Sequence, residues 1–403
     1  MENDAVWQVI HLSTGHEGGA GLAARRLNSA LNAAGISSSF WALRHNEYHQ
    51  YENEFDIPRN HLTRLVSRIL SSIQSRLSQK VFFSLWSLNV LSNRRINKMG
   101  SPKDTILHFH NWFNLVSQKR ITQLNKQGFS IVLTMHDERF MTGGCHYAFK
   151  CQGFQASCQK CPELPRLFKS IPSRNHNKFL KNAKNLSNQF ALIAPSRWLR
   201  DKALSSSLIS QLPVIFIPNT LGSNINYSVP LKQREILRQD SIIKIGIASM
   251  SKHSYIKGGD ITSNLHKLVL ERKLPIEIIY LSDFTNRENL TSDFWSQIDY
   301  LLVPSRADNS PNVIHEAKLL GIPVIASSIG GIAELLTPDF DVPISDELLN
   351  EEGILKILMG ARHQDNRGLQ NSMIIQFNEY VRDSVPSHIK VYEDLIKLKL
   401  QTR

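Results

Sequence analysis

Tyr300-Leu301-Leu302-Val303-Pro304-Ser305, then Asp308-Asn309-Ser310-Pro311-Asn312-Val313-Ile314-His315-Glu316-Ala317, then Gly321-Ile322-Pro323-Val324-Ile325-Ala326, is the stretch whose reading decides the fold. Two short runs of Val, Ile and Leu flank a segment that opens on a capping residue and closes on glycine, which reads as strand, helix, strand. Ser310 is placed to cap the helix, Pro311 to take its first position, and Gly321 with Pro323 to end it. Apolar strands joined through a helix predict a parallel sheet covered on both faces.

The same alternation runs outward in both directions. Upstream, strands are predicted at 6–12, 36–43, 105–109, 130–135, 191–194 and 214–217, with a Gly-rich loop over Thr14 to Gly21 and a helix over Leu22 to Ala34. A second series begins at 242–248 and continues through 276–281, 300–303 and 323–326. At 403 residues the chain suits two such domains. The expected division is 1–222, 223–384, and a last helix over 385–403 that returns to the first domain.

A helix that starts just past a strand's carboxyl end aims its free N–H groups into the crevice, where they suit a diphosphate. Asp308 stands just before that helix and Glu316 two turns in, so both carboxylates can meet hydroxyl groups in one cleft. The spacing and the following Gly330-Gly331 resemble family 4 of the retaining glycosyltransferases, with its Glu-x7-Glu motif; Asp308 stands where that family usually has Glu. The resemblance implies the GT-B fold, α/β with two Rossmann-like domains facing across a cleft. It places the donor against Ser310, Asn312, Val313 and Glu316, with Asp308 and Lys257 acting in catalysis. Lys257-Gly258 resembles the family's phosphate-binding Lys-Gly element, Lys252 is a second candidate cation, and Gly18-Gly19 resembles its Gly-rich loop. A fixed cation there offsets the charge that builds on a departing diphosphate.

A longer likeness, over 134–165, is to bacterial polysaccharide glycosyltransferases of the colanic-acid type, on Thr134-Met135-His136-Asp137, Thr142-Gly143-Gly144-Cys145-His146-Tyr147 and Cys161-Pro162. It implies a catalytic contact for His136 and an acceptor-side group of His110, His136 and Asp137. His110 and His136 both follow strands, where side chains face the crevice. The cysteines are Cys145, Cys151, Cys158 and Cys161. In a cytosolic protein they read either as a structural tetrathiolate zinc site or as four reduced thiols without metal. No catalytic metal is expected, and Asp339-Phe340-Asp341 reads as a polar turn rather than a metal motif.

Charge is unevenly spread. Between residues 59 and 202 there are 24 Lys and Arg against 5 Asp and Glu, while the whole chain carries +12. Within that block Leu62, Leu65, Val66, Ile69, Leu70, Ile73 and Leu77 fall at helical spacing, with Arg64, Arg68 and Arg76 beside them. Such a helix either packs on a core or lies on an anionic membrane; the following Phe82, Phe83 and Trp86 favour the membrane. Glu2 and Asp4 leave no positive start for a signal peptide, and no apolar run is long enough to span a bilayer. The expectation is a cytoplasmic enzyme, peripheral at the inner membrane face, with a nucleotide-sugar donor, a glycan or lipid-linked glycan acceptor, and no nucleic acid. The rivals are a nucleotide-sugar epimerase of similar fold and a basic zinc-containing nucleic-acid-binding protein.

Overall fold

The computed structural model describes residues 7–43, 52–78, 80–221, 242–248, 254–283, 290–361 and 367–401. The chain divides into two compact units, Met1–Asn224 with Asp383–Arg403, and Ile225–Arg382.

The first unit holds seven strands: β1 (Gln8–Ser13), β2 (Ser38–Leu43), β3 (Glu54–Ile57), β4 (Thr105–Asn111), β5 (Ser130–Thr134), β6 (Phe190–Ala194) and β7 (Val214–Phe216). They pair in parallel in the order β3-β2-β1-β4-β5-β6-β7. Successive side chains on a strand point to opposite faces, and the two cores follow that alternation. Ile10, Leu12, Leu107, Phe109, Ile131 and Leu133 share one cluster. Val9, Ile106, Val132 and Ile193 share the other with Leu27 and Leu31 of the helix Gly18–Ala33 and with Tyr392, Leu395 and Ile396 of the helix Ser384–Gln401.

In the second unit β8 (Ile243–Ile247), β9 (Ile276–Tyr280), β10 (Tyr300–Val303), β11 (Val324–Ser327) and β12 (Val342–Ile344) form a parallel sheet in the order β12-β11-β10-β8-β9. Each sheet has one point where the chain reverses its direction of travel, between β1 and β4 and between β8 and β10. Open α/β sheets bind ligands at the carboxyl ends of the strands flanking such a point.

Two strands were not expected from sequence. β3 carries Glu54 and Asp56, which break an apolar run; tertiary partners absorb both, Arg25 Nε donating to Glu54 at 2.6 Å and His16 Nε2 meeting Asp56 at 2.9 Å. β12 contains Pro343, tolerated because β12 is an edge strand. The first helix starts at Gly18 rather than Leu22, so Gly18 and Gly19 form its opening turn and the loop is shorter than expected. Gly21 allows the helix to press on the preceding loop, since a Cβ there would strike the Gly15 carbonyl oxygen.

Helix His61–Ser75 is built as the apolar spacing predicts, with Asn60 capping it by accepting the Thr63 N–H at 2.8 Å. Its buried residues are Ser67 and Gln74, while Leu62, Leu65, Ile69 and Ile73 are 68%, 54%, 50% and 42% exposed. These four stand open to solvent, whereas Val66, Leu70 and Leu77 are half-buried and Leu77 packs beside Val81, Phe83, Leu85 and Leu164. No helix among the described residues is long and apolar enough to cross a membrane.

Candidate active site

The second unit's switch point gathers three loops, those after β8, β10 and β11. Asp308, 6% exposed, follows β10; its Oδ1 accepts the Asn309 N–H at 2.8 Å and its Oδ2 accepts from the Lys257 ammonium. Its backbone carbonyl accepts the Gly331 N–H at 3.1 Å. Gly330 has φ of 59°, and a Cβ there would collide with that same carbonyl oxygen, so glycine is required for the close approach. The loop carrying Lys257 is tied to the end of β10. Arg306 donates its backbone N–H to Ile256 O at 2.7 Å, forks onto both oxygens of Asp260 at 2.5 and 2.7 Å, and lies 4.0 Å from the Tyr255 ring centre. Gly258, at φ 72°, sits where a Cβ would meet the Pro304 carbonyl oxygen. Arg306 was not singled out from sequence. Lys252 lies outside the described residues.

The motif helix runs Asn312–Leu319, one residue later than expected, with Pro311 at its cap position and no side chain capping it. The Ser310 hydroxyl pairs with His315 Nε2 at 2.9 Å, the imidazole being fully buried. Asn312 and Val313 open the helix, and Glu316 is half-buried in the second turn. Asp341 of the discounted acidic triplet is structural. It receives the Lys318 ammonium, both side chains fully buried, and accepts the Val324 N–H at 2.8 Å.

In the first unit the carboxyl ends of β1, β4 and β5 bring histidines together. His110 Nε2 meets His11 Nδ1 at 2.9 Å, and His110 Nδ1 meets His136 Nε2 at 3.1 Å. His108 lies between Tyr392 Oη and Thr134 Oγ1, both at 2.7 Å. Register explains this: His11 pairs with His108 across β1 and β4, and His108 and His110 are two apart on one strand face. Burial pushes His11 down to about 3 and His136 and His388 to about 4, and holds His108 and His110 well below the ordinary histidine value. All five are therefore neutral hydrogen-bonding groups at neutral pH.

Asp137 faces the other way. It takes Arg139 Nε at 3.0 Å on each oxygen and lies 3.1 Å from His146 Nδ1, whose Nε2 meets Ser84 Oγ at 2.7 Å. Burial alone would raise the Asp137 carboxyl, but Arg139 and His146 outweigh it and hold it well below the usual range. Arg139 also donates to Asn111 Oδ1 at 2.8 Å. The His-Asp and Thr-Gly-Gly-Cys-His-Tyr elements are thus two halves of one network. Gly18 and Gly19 lie beyond it, in the first turn of their helix.

Among the described residues, the group of histidines, cysteines and acids whose ligating atoms fall within 4.8 Å is His11, His108 and His110. Both ring nitrogens of His108 and of His110 are already engaged in the hydrogen bonds above. Cys145, Cys151, Cys158 and Cys161 are free, half-buried and not in such a group. Cys145 and Cys161 pack beside Phe83, Leu85 and Leu164, and burial raises the Cys145 thiol well above its ordinary value and Cys158 to about 11.

Two parallel sheets of this order and connectivity define the GT-B fold. Over its full length the chain resembles the sucrose-phosphate synthase of Thermosynechococcus elongatus (14% identity, TM-score 0.57, 97% of this chain and 100% of that one). It equally resembles HepE of Anabaena in complex with UDP-glucose (12% identity, TM-score 0.54, 98% and 100%). Residues 251–355 match the family described as "Glycosyl transferases group 1". In sequence it is 22% identical over 342 residues, 74% of this chain and 78% of the other, to the putative colanic acid biosynthesis glycosyl transferase WcaC of Escherichia coli K12.

Proposed function

We propose that the chain transfers a sugar from a nucleotide-sugar donor to a lipid-linked glycan, with retention of anomeric configuration, in bacterial surface-polysaccharide synthesis. The observation that carries this reading is the grouping of Lys257, the start of helix Asn312–Leu319 and Gly330-Gly331 at the second unit's switch point. Lys257 and the amides of Asn312 and Val313 meet the negative charge that grows on the departing diphosphate. Glu316 accepts from ribose hydroxyls. As the sugar's bond to the diphosphate breaks, the acceptor hydroxyl approaches on the same face. Its oxygen bonds to the sugar carbon and its proton passes to the departing phosphate oxygen. His136, neutral, donates or accepts a hydrogen bond to the acceptor or the transferred sugar and carries no charge into the step. Fixed cations and amides supply this chemistry, so we assign no catalytic metal.

The acceptor class is supported by the relative named for colanic acid biosynthesis and by the exposed stripe Leu62, Leu65, Ile69 and Ile73. Arg64, Arg68 and Arg76 beside that stripe suit the anionic inner face of a cytoplasmic membrane. The test is radiolabelled sugar transfer from a panel of nucleotide sugars to a membrane extract, run beside flotation on phosphatidylglycerol vesicles. Transfer should require both donor and extract. Vesicle binding should weaken with salt and with Arg64, Arg68 and Arg76 changed to Gln, each arginine contributing about 1 kcal/mol. Donor consumption unaffected by the extract would favour an epimerase, and equal binding to neutral vesicles would remove the membrane from the account.

A further inference from the structure

We propose that Asp308 acts through Lys257: its carboxylate fixes the ammonium that meets the donor diphosphate and does not itself take up the donor's sugar hydroxyls. This rests on the donor-site reading above and departs from the sugar contact implied by the resemblance.

Aspartate is one methylene shorter than the glutamate usual at this position, so its carboxylate stays close to its own backbone. There Oδ1 closes onto the next residue's N–H, 2.8 Å away at Asn309. The other oxygen holds Lys257 Nζ. With Asp308 6% exposed, little of it is open to any further partner, whereas the Lys257 side chain is 40% exposed. In this pair the carboxylate is the buried member and the ammonium the accessible one.

The backbone shows the same division of labour. Asp308 bonds the diglycine loop through its carbonyl and the Lys-Gly loop through its side chain, so it joins the loops after β8, β10 and β11. Lys257 is held from its other end as well: its N–H donates to Ser254 O at 3.1 Å, and Arg306 clips the neighbouring Ile256 and Asp260. A lysine side chain loses much rotamer freedom when it grips an anion. Anchoring both its backbone and its ammonium in advance removes most of that loss before the donor arrives. Glu316, half-buried on the second turn of the motif helix, is the carboxylate left for hydroxyl groups.

The test is a double-mutant cycle on the full chain with inorganic pyrophosphate as the probe, which has phosphates and no sugar. Calorimetric Kd values are measured for wild type, Asp308→Asn, Lys257→Met and the double variant. Lys257→Met should weaken pyrophosphate at least about tenfold, as loss of a charged hydrogen bond does. Asp308→Asn should change the wild-type Kd at least about threefold, in either direction, because it loses an anchor and also removes a negative charge beside the phosphates. In the Lys257→Met background only the charge effect remains, so the change in Kd there should differ from that in wild type by at least about threefold. A residue that touches only sugar would leave pyrophosphate binding unchanged in both backgrounds, and an equal effect in both would show action independent of Lys257; either overturns the proposal. No pyrophosphate binding by wild type, or none lost in Lys257→Met, would sink the donor-site reading itself and this proposal with it. Should Asp308→Asn fold poorly, the Lys257 ammonium signal in nitrogen-15 NMR of the wild-type chain serves instead. That signal stays sharp if a carboxylate anchors the ammonium and is lost if none does.

Discussion

The two switch points solve the same placement problem with opposite electrostatics. In the second unit, charged groups meet at the ends of β8, β10 and β11, and the lysine is left accessible. In the first, the ends of β1, β4 and β5 carry imidazoles that burial keeps uncharged. A fixed cation suits a ligand that is an anion and becomes more so as it leaves; neutral donors and acceptors suit hydroxyl-bearing ligands. Strand geometry thus sets where a site falls, and side-chain charge sets what it receives.

That contrast breaks most visibly with acid. Burial lowers His11, His136 and His388 from an ordinary value near 6.5 to about 3, 4 and 4 in the folded chain. The unfolded state therefore binds more protons across that window, so stability is full above pH 6.5 and is lost as pH falls toward 4. Each pH unit in the window removes about 1.4 kcal/mol per buried imidazole. Hydrogen exchange at matched chemical rates should show β1, β4 and β5 opening between pH 7 and 5 well before β10 and β11. Uniform opening of both sheets would erase the distinction.

In the second unit the largest single loss should follow Lys318→Met, which strands the Asp341 carboxylate in the core. Breaking a buried pair from one side costs about 3–5 kcal/mol, read by urea unfolding. A loss under about 1 kcal/mol would mean the carboxylate finds water or another donor. Smaller still, Glu316→Gln should keep the fold and reduce donor binding or turnover at least about tenfold, from a charged hydrogen bond worth roughly 1.5–3 kcal/mol. Unchanged kinetics would detach that helix from the donor.

The second unit was the more legible in sequence because its chemistry is local: Lys257, Asp308, Glu316 and Gly330-Gly331 stand beside the strands that place them. What was missed there, Arg306 gripping Asp260 and Ser310 turning to His315, depends on which loop side chains find partners. The first unit hid more. His108 meets Tyr392 across 284 positions, and His11 joins His110 across 99. The alternation of His108 and His110 on one strand was the available signal; nothing local marked His11 as their neighbour. Asp137 and His146 were read as two separate elements, and only the fold shows them paired with Arg139 and Ser84. The apolar stripe of helix His61–Ser75 was legible as a stripe, but its exposure is a property of what the rest of the chain leaves uncovered.

The central claim is that the charged switch point of the second unit binds the activated donor. Calorimetric titration of wild type and Lys257→Met with UDP-, GDP- and ADP-linked sugars tests it most directly. At least one of these should bind wild type, and Lys257→Met should weaken that same donor at least about tenfold while remaining folded. Equal affinity of the two proteins for every donor that binds would contradict the account.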